Sequence, residues 1–540
     1  MVVVVFGRTL ENGFVYDDWE TIVDNPHVHS LQNGFSFFFD RNSTAPETHL
    51  KHEIYRPIKS WSCALDHFIF RGNPAGYHLT NVLLHLVAVL LLNQLLISMG
   101  YPVFTAFMAS LFFAVHPAIS QNVSYISARA DILATVFLLA CSRIVFLGQP
   151  ETVFRKIVGP ALFFTACLAK ETSVVFPIFY VFVYRYVHKP FRSVFSYGIA
   201  ALLYLVLRQT VVGGFFQTYY YQNSFWITQA AMVKVWLLYI AGFFWPFHLE
   251  IAPIIETESG WAGPFVWFSA VALASLGILI WIRRKHLGKA GIGLVWFFLF
   301  LLPVANLIPI KALMAWRFVY IPWVGMSLVF CHYFEKIQRS RTAVFFIFFW
   351  LLVLTLYSVR TVSTFQTDET LWKPLMEKYP HLSKPYHVVG NYYLREKEIV
   401  RAQHVFETGL QSVPDDAYLM WDLARIHAMQ GNTGKSLDLL EKINQPMRRE
   451  LGQGFLYDYV FALYQEKKYG QIWKTLSFPD ISGMKTKILL IQAHGSVLAD
   501  HKDSAEILYE ELLTRGDLTA AQREDCSAVL AMLKAEKIHE

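Results

Sequence analysis

Two adjacent carboxylates, Asp17 and Asp18, stand in the stretch GFVYDDWETIVDNP (13–26), shortly before the chain becomes strongly apolar. Neighbouring carboxylates at a membrane boundary repel, so one of the two pKa values should rise, which suits a general base acting on a hydroxyl or a pair that holds a metal. Other charges sit at the ends of apolar runs: Arg129 and Asp131 in HPAISQNVSYISARAD, Lys170 and Glu171 in AKET, and Arg317 in IPIKALMAWR. Ionisable groups at such places are costly unless paired or hydrated, so their gathering on one side of a membrane would mark a polar site. Each has a plainer reading. Arg129 with Asp131, and Lys170 with Glu171, could simply pair, and Arg317 or Lys170 could reach to lipid headgroups.

The elements that must position these residues are apolar. Of 540 residues, 54% are hydrophobic and only 16% charged, with a mean hydropathy of +0.35, too apolar for a soluble protein of this length. Runs of spanning length occur at 77–98, 102–119, 130–148, 154–169, 172–188, 193–212, 227–247, 261–282, 290–310, 316–334 and 342–360. The opening MVVVVF reads as the tail of a truncated first span. The five cysteines lack CxxC spacing, so neither a zinc site nor a disulfide framework is indicated. The net charge of +6 falls largely in short loops, and no nucleic-acid motif accompanies it.

The basic loops 185–192, 283–289 and 335–341 belong on the cytoplasmic side by the positive-inside rule. All three share that side only if 227–247 is not a full crossing, so it should dip in or lie along the interface; Lys234 within it and Trp245-Pro246 at its end agree. About eleven crossings follow, with the first loop (7–76), 116–131, 169–172 and 309–317 opening on the non-cytoplasmic face. His78, His85 and His116 lie in apolar context, where a hydrogen-bonded packing role is the commoner one, although His116 borders the polar face. Sequons stand at Asn42 and Asn122.

After about residue 360 the composition becomes that of a soluble domain. Residues 383–416 match the tetratricopeptide pattern, with Tyr386, Gly390, Tyr393, Ala402, Phe406, Gly409 and Pro414 in its aromatic, small and proline positions. A second unit carries Leu423, Ala424, Ser436 and Leu440, and weaker ones follow. The expected fold is all-α: a polytopic membrane domain over 1–360 and a repeat solenoid over 361–540 whose concave groove takes extended peptides.

GFVYDDWETIVDNPHV, YRPIKSWSCALDHFIF, NPAGYHLTNVLLHL, AVHPAISQNVSYISARADILA, LAKETSVVFP and RFVYIPWVG resemble, in this order, the transmembrane and tetratricopeptide repeat-containing O-mannosyltransferase family and its bacterial relatives, which are similar to C-type glycosyltransferases. The resemblance implies inverting transfer of a sugar from a polyprenyl-phosphate carrier to a protein hydroxyl on the non-cytoplasmic face. It puts Asp17 and Asp18 at the acceptor hydroxyl as catalytic residues, and Arg317, Lys170 or Arg129 at the carrier phosphate. Arg56, Asp131, Glu171 and His116 would support the site. No cofactor is fixed beyond the lipid-linked sugar donor, with room left for a divalent metal. Expected partners are that donor, membrane lipids and an acceptor polypeptide in the repeat groove, with no nucleic acid. The compact repeat array points to a bacterial inner membrane, with the endoplasmic reticulum as the alternative. The rival reading is a non-catalytic membrane scaffold that recruits a partner through its repeats.

Overall fold

The computed structural model describes all residues except 41–42, 44–53, 147–152, 185–192, 214–218, 248, 256–259, 476–484 and 540. The described residues contain helices and no strand, so the chain is all-α. They form two compact units, which divide between Leu371 and Trp372.

The first unit is built from apolar helices, and the chain is an integral membrane protein. Among the described residues, five helices are long and apolar enough to cross a bilayer: Pro74–Ser98, Val194–Val212, Phe225–Phe244, Pro264–Arg283 and Arg341–Ser363; Val103–Val115 and Pro117–Ser124 form a sixth candidate bent by 53°. This is fewer than the eleven or so expected from apolar runs. Two of those runs fold as a shorter helix closed by an irregular turn: Pro303 lies in a 3-10 turn after Leu301, and the extended backbone of Lys170 leads into the 3-10 turn Glu171–Val175. The helices Lys289–Leu301 and Tyr320–Ile337 approach most closely at Gly293 and Gly325, where an added Cβ would lie within 2.4 Å of the facing carbonyl oxygen. Small residues at such a crossing let backbones meet without lipid between them.

The bundle has two chemically distinct ends. At one, Lys289 lies 4.4 Å over the Tyr101 ring and Thr105 bonds Gln338 at 3.2 Å, so the 99–105, 288–289 and 337–341 connections meet among basic residues. At the other end the connections 116–128, 169–171 and 305–319 converge with the first loop. The Phe225–Phe244 helix belongs to this second end. Gln229 donates to the Asn306 carbonyl (3.0 Å), Tyr239 to that of Ala315 (3.1 Å), and the Phe243 carbonyl accepts from His116 Nε2 (3.2 Å). A helix of 20 residues is about 30 Å long, enough for a crossing, and this one is hydrogen-bonded to connections of that end. The basic loop 185–192 and the sequon at Asn42 fall on residues outside those described. Asn122 is buried with its amide donating to the Arg317 carbonyl (3.0 Å), so that sequon is no glycan acceptor.

The second unit is an array of helix pairs. Ser383–Arg395 with Ile399–Ser412 is followed by Ala417–Met429 with Thr433–Lys442, so both helices recur after 34 residues (383 to 417, 399 to 433). Thr486–Leu498 with Lys502–Thr514 repeats the arrangement. The turn inside each pair carries a residue of left-handed φ: Lys397, Gly431, Lys467 and Asp500. At Gly390 an added Cβ would fall 2.2 Å from the Phe406 ring, which shows how the small position and the aromatic of one repeat unit fit together.

Candidate active site

The first loop is shaped by a strained turn. Tyr16 has a φ of 53°, a left-handed value that a bulky residue adopts only when its surroundings hold it there. Its N–H donates to Asp368 Oδ1 (2.7 Å) and the Trp19 indole to Asp368 Oδ2 (3.1 Å), while Gly13 N–H donates to the Gln366 carbonyl (3.0 Å). The segment after the last apolar helix thus clamps the loop. Asp368 lies 352 residues from Tyr16, and no spacing in the sequence could have marked it.

The turn separates the two neighbouring carboxylates. Asp18 is fully buried and accepts the Ser127 N–H at 2.7 Å and the Val15 N–H at 3.3 Å. Burial pushes its carboxyl up to about 7, against the pull of those donors and the Lys59 ammonium. Lys59, itself lowered by burial, donates to Thr21 Oγ1 (3.0 Å); that hydroxyl meets Ser127 Oγ at 2.9 Å and donates to the Asp17 carbonyl at 2.8 Å. Asp18 therefore closes the turn. Asp17 is half-exposed, and its carboxylate has no hydrogen bond or ion pair among the described residues.

The cations sort in the same way. Arg129 is buried and ion-paired with Asp66 at 2.5 Å, and its guanidinium also reaches Asn81 Oδ1 (2.6 Å), the Tyr77 carbonyl (2.8 Å) and Ser62. Its guanidinium is thus engaged in a buried network of an ion pair and hydrogen bonds. Lys170 pairs with Asp131 at 2.9 Å, and Arg56 grips Glu171 through two hydrogen bonds of 2.6 and 2.9 Å. The pairs suggested by proximity in sequence, Arg129 with Asp131 and Lys170 with Glu171, are exchanged for partners from other helices. His116 is buried and bonded through both ring nitrogens to main chain, Nδ1 accepting from Ala118.

Arg317 differs from the other cations. It is half-exposed and forms no ion pair among the described residues; its guanidinium lies 5.3 Å from the centre of the Phe318 ring, the ring that Lys170 also approaches, at 5.8 Å. Its main chain is held on both sides, with its N–H donating to Gln121 Oε1 (2.9 Å) and its carbonyl accepting from Asn122. Asp17 and Arg317 share a neighbourhood. Both act electrostatically on the phenols of Tyr16 and Tyr125, whose rings are 6.3 Å apart. One unpaired carboxylate and one unpaired guanidinium thus face a common region, and such a pair can take up a proton and receive an anion. Among the described residues no group of three or more His, Cys, Asp or Glu could hold a metal ion.

Over 507 residues the chain is 26% identical to the human protein O-mannosyl-transferase TMTC1, covering 78% of this chain and 55% of that protein. The chain is similar to proteins named protein O-mannosyl-transferases. It is 29% identical over 220 residues to protein O-mannosyl-transferase F38B6.6 of Caenorhabditis elegans, covering 39% of this chain and 31% of the relative. It is 36% identical over 142 residues to human TMTC2, covering 24% and 16%. The chain spans about half the length of these relatives, or less. No family model matches it, nor does any solved structure. These relatives are animal proteins, so the expectation of a bacterial inner membrane gains no support from them.

Proposed function

We propose that the chain transfers a sugar, with inversion, from a polyprenyl-phosphate carrier to a hydroxyl of a protein. The site would open on the non-cytoplasmic face, the lumen of the endoplasmic reticulum in a eukaryotic cell. Asp17 takes the proton of the acceptor hydroxyl as its oxygen attacks the anomeric carbon. The bond from that carbon to the phosphate oxygen breaks, its electron pair stays on the phosphate, and Arg317 meets the charge that develops there. A guanidinium placed beforehand beside a leaving phosphate stabilises the transition state more than the ground state. Lys170, beside Phe318, adds positive potential while paired with Asp131. The helix-pair array supplies the groove for the acceptor polypeptide. The observation that carries this reading is that Asp17 and Arg317 are half-exposed and without an ion pair among the described residues, whereas Arg56, Arg129, Lys170, Asp66, Asp131 and Glu171 are all paired. The relatives' names give the reaction class.

The two carboxylates make the test. Asp17→Asn should lower transfer about 10²- to 10⁴-fold, the range of a lost general base, with thermal stability unchanged. Asp18→Asn should instead destabilise the membrane unit by about 1–3 kcal/mol, because an amide turns an N–H₂ toward the N–H of Ser127 or Val15. Turnover is read as added hexose by intact mass of an acceptor peptide. Full turnover in Asp17→Asn would remove the base assignment.

A further inference from the structure

Buried polar atoms without a partner gather beside Arg317. On the turn that holds its main chain, Ser120 Oγ, Asn122 Oδ1, Ser124 Oγ and Tyr125 Oη have no hydrogen-bond partner among the described residues, and Trp316 Nε1 next to Arg317 has none either. Native interiors rarely leave such groups unsatisfied, so a concentration of them marks a place built for a partner. Tyr125 is the one among them that the site's charges reach. Its ring is 1% exposed, and its main-chain N–H donates to the Gln121 carbonyl (3.1 Å) while the Gln121 side chain holds Arg317 N–H. Gln121 thereby ties the main chain of Tyr125 to that of Arg317.

Burial, with Asp17 next, pushes the Tyr125 phenol well up, so it stays an O–H donor at physiological pH. What it lacks is an acceptor. A neutral sugar hydroxyl could accept from either group but would leave the guanidinium's charge unmatched, whereas a phosphate offers charged oxygens that accept from both. We infer that Tyr125 donates a hydrogen bond to a phosphate oxygen of the lipid carrier that Arg317 also holds, an inference that rests on the donor proposed above. No bond to carbon forms at Tyr125. Its contribution is a second donor, deeper than Arg317, toward the oxygen that gains charge as the sugar leaves.

The test measures binding, not turnover, with full-length protein in detergent micelles. The probes are a short polyprenyl phosphate and the matching polyprenol. Tyr125→Phe removes only the hydroxyl and should weaken polyprenyl phosphate binding about tenfold, the scale of one lost hydrogen bond, with polyprenol binding unchanged. Arg317→Ala serves as the reference for phosphate recognition. If Tyr125→Phe binds the phosphate as tightly as the unaltered chain while Arg317→Ala loses it, the role of Tyr125 is overturned and that of Arg317 stands. If the unaltered chain does not prefer the phosphate to the polyprenol, the donor reading falls and takes Tyr125 with it.

Discussion

The two units differ in how far along the chain their side chains reach. In the repeat array the polar contacts between successive helix pairs span nearly one period: 35 residues for His387 with Asp422, 31 for Asn391 with Asp422, 37 for Trp421 with Asp458 and 31 for Thr486 with Asp517. In the membrane unit they span 115 residues for Arg56 with Glu171, 195 for Asn122 with Arg317, 235 for His85 with Tyr320 and 352 for Tyr16 with Asp368. An array of near neighbours gains stability unit by unit, whereas distant partners form only once most of the chain is in place. The site is built in the second way. Its geometry depends on the whole helical bundle, and a fault in one pair should be felt throughout.

The largest expected effect tests that dependence. Arg129→Ala leaves Asp66 buried without its cation and should cost about 3–5 kcal/mol, as for other broken buried pairs. Arg129→Lys should restore little, because one ammonium cannot reach Asn81, Ser62 and Tyr77 together. Thermal unfolding in detergent would show the loss as a lower midpoint for the whole membrane unit. A loss confined to residues near Asp66 would break the contrast between the units.

A smaller effect tests the other half. Gly390→Ala places a Cβ 2.2 Å from the Phe406 ring, and the overpacking should cost about 1–3 kcal/mol. Hydrogen exchange should quicken over 383–412 and not in the membrane helices. Faster exchange throughout the chain would show that the array is not assembled from neighbours.

The smallest effect is a pH dependence. Burial lowers the pKa of His387, but the Asp422 carboxylate 2.5 Å away raises it more, and the net shift is upward. The stabilisation is therefore complete below the ordinary histidine pKa of about 6.5 and disappears as pH rises through the higher folded value. Because His387 is 39% exposed, the gain should be about 1 kcal/mol or less. Exchange protection of the first two helix pairs should fall with rising pH in the unaltered chain and stay flat in His387→Gln. An equal slope in both would assign the titration elsewhere.

The legibility of the molecule follows the same division. The glycines, aromatics and proline of 383–416 foretold a helix pair, because each packs against a residue within its own repeat or the next. Apolar runs located the membrane helices, although hydropathy does not register the irregular turns that close some of them. Loop charge set 227–247 apart from the other apolar runs, yet its helix Phe225–Phe244 is as long and apolar as a crossing. Nearness in sequence misled for the pairing of the charges: Arg129 and Lys170 took Asp66 and Asp131 as partners. Nothing in the sequence pointed to Asp368, Lys59 or Tyr125, whose roles rest on contacts made across helices.

Composition and periodicity by themselves determined an all-α membrane chain with a repeat array, because the bilayer and the 34-residue period act on every residue of a stretch alike. Only tertiary structure decided which of two identical carboxylates is spent on backbone N–H groups and which stays unpaired. Burial and hydrogen bonding belong to a position in space, and Asp17 and Asp18 are neighbours in the chain but sit in different surroundings.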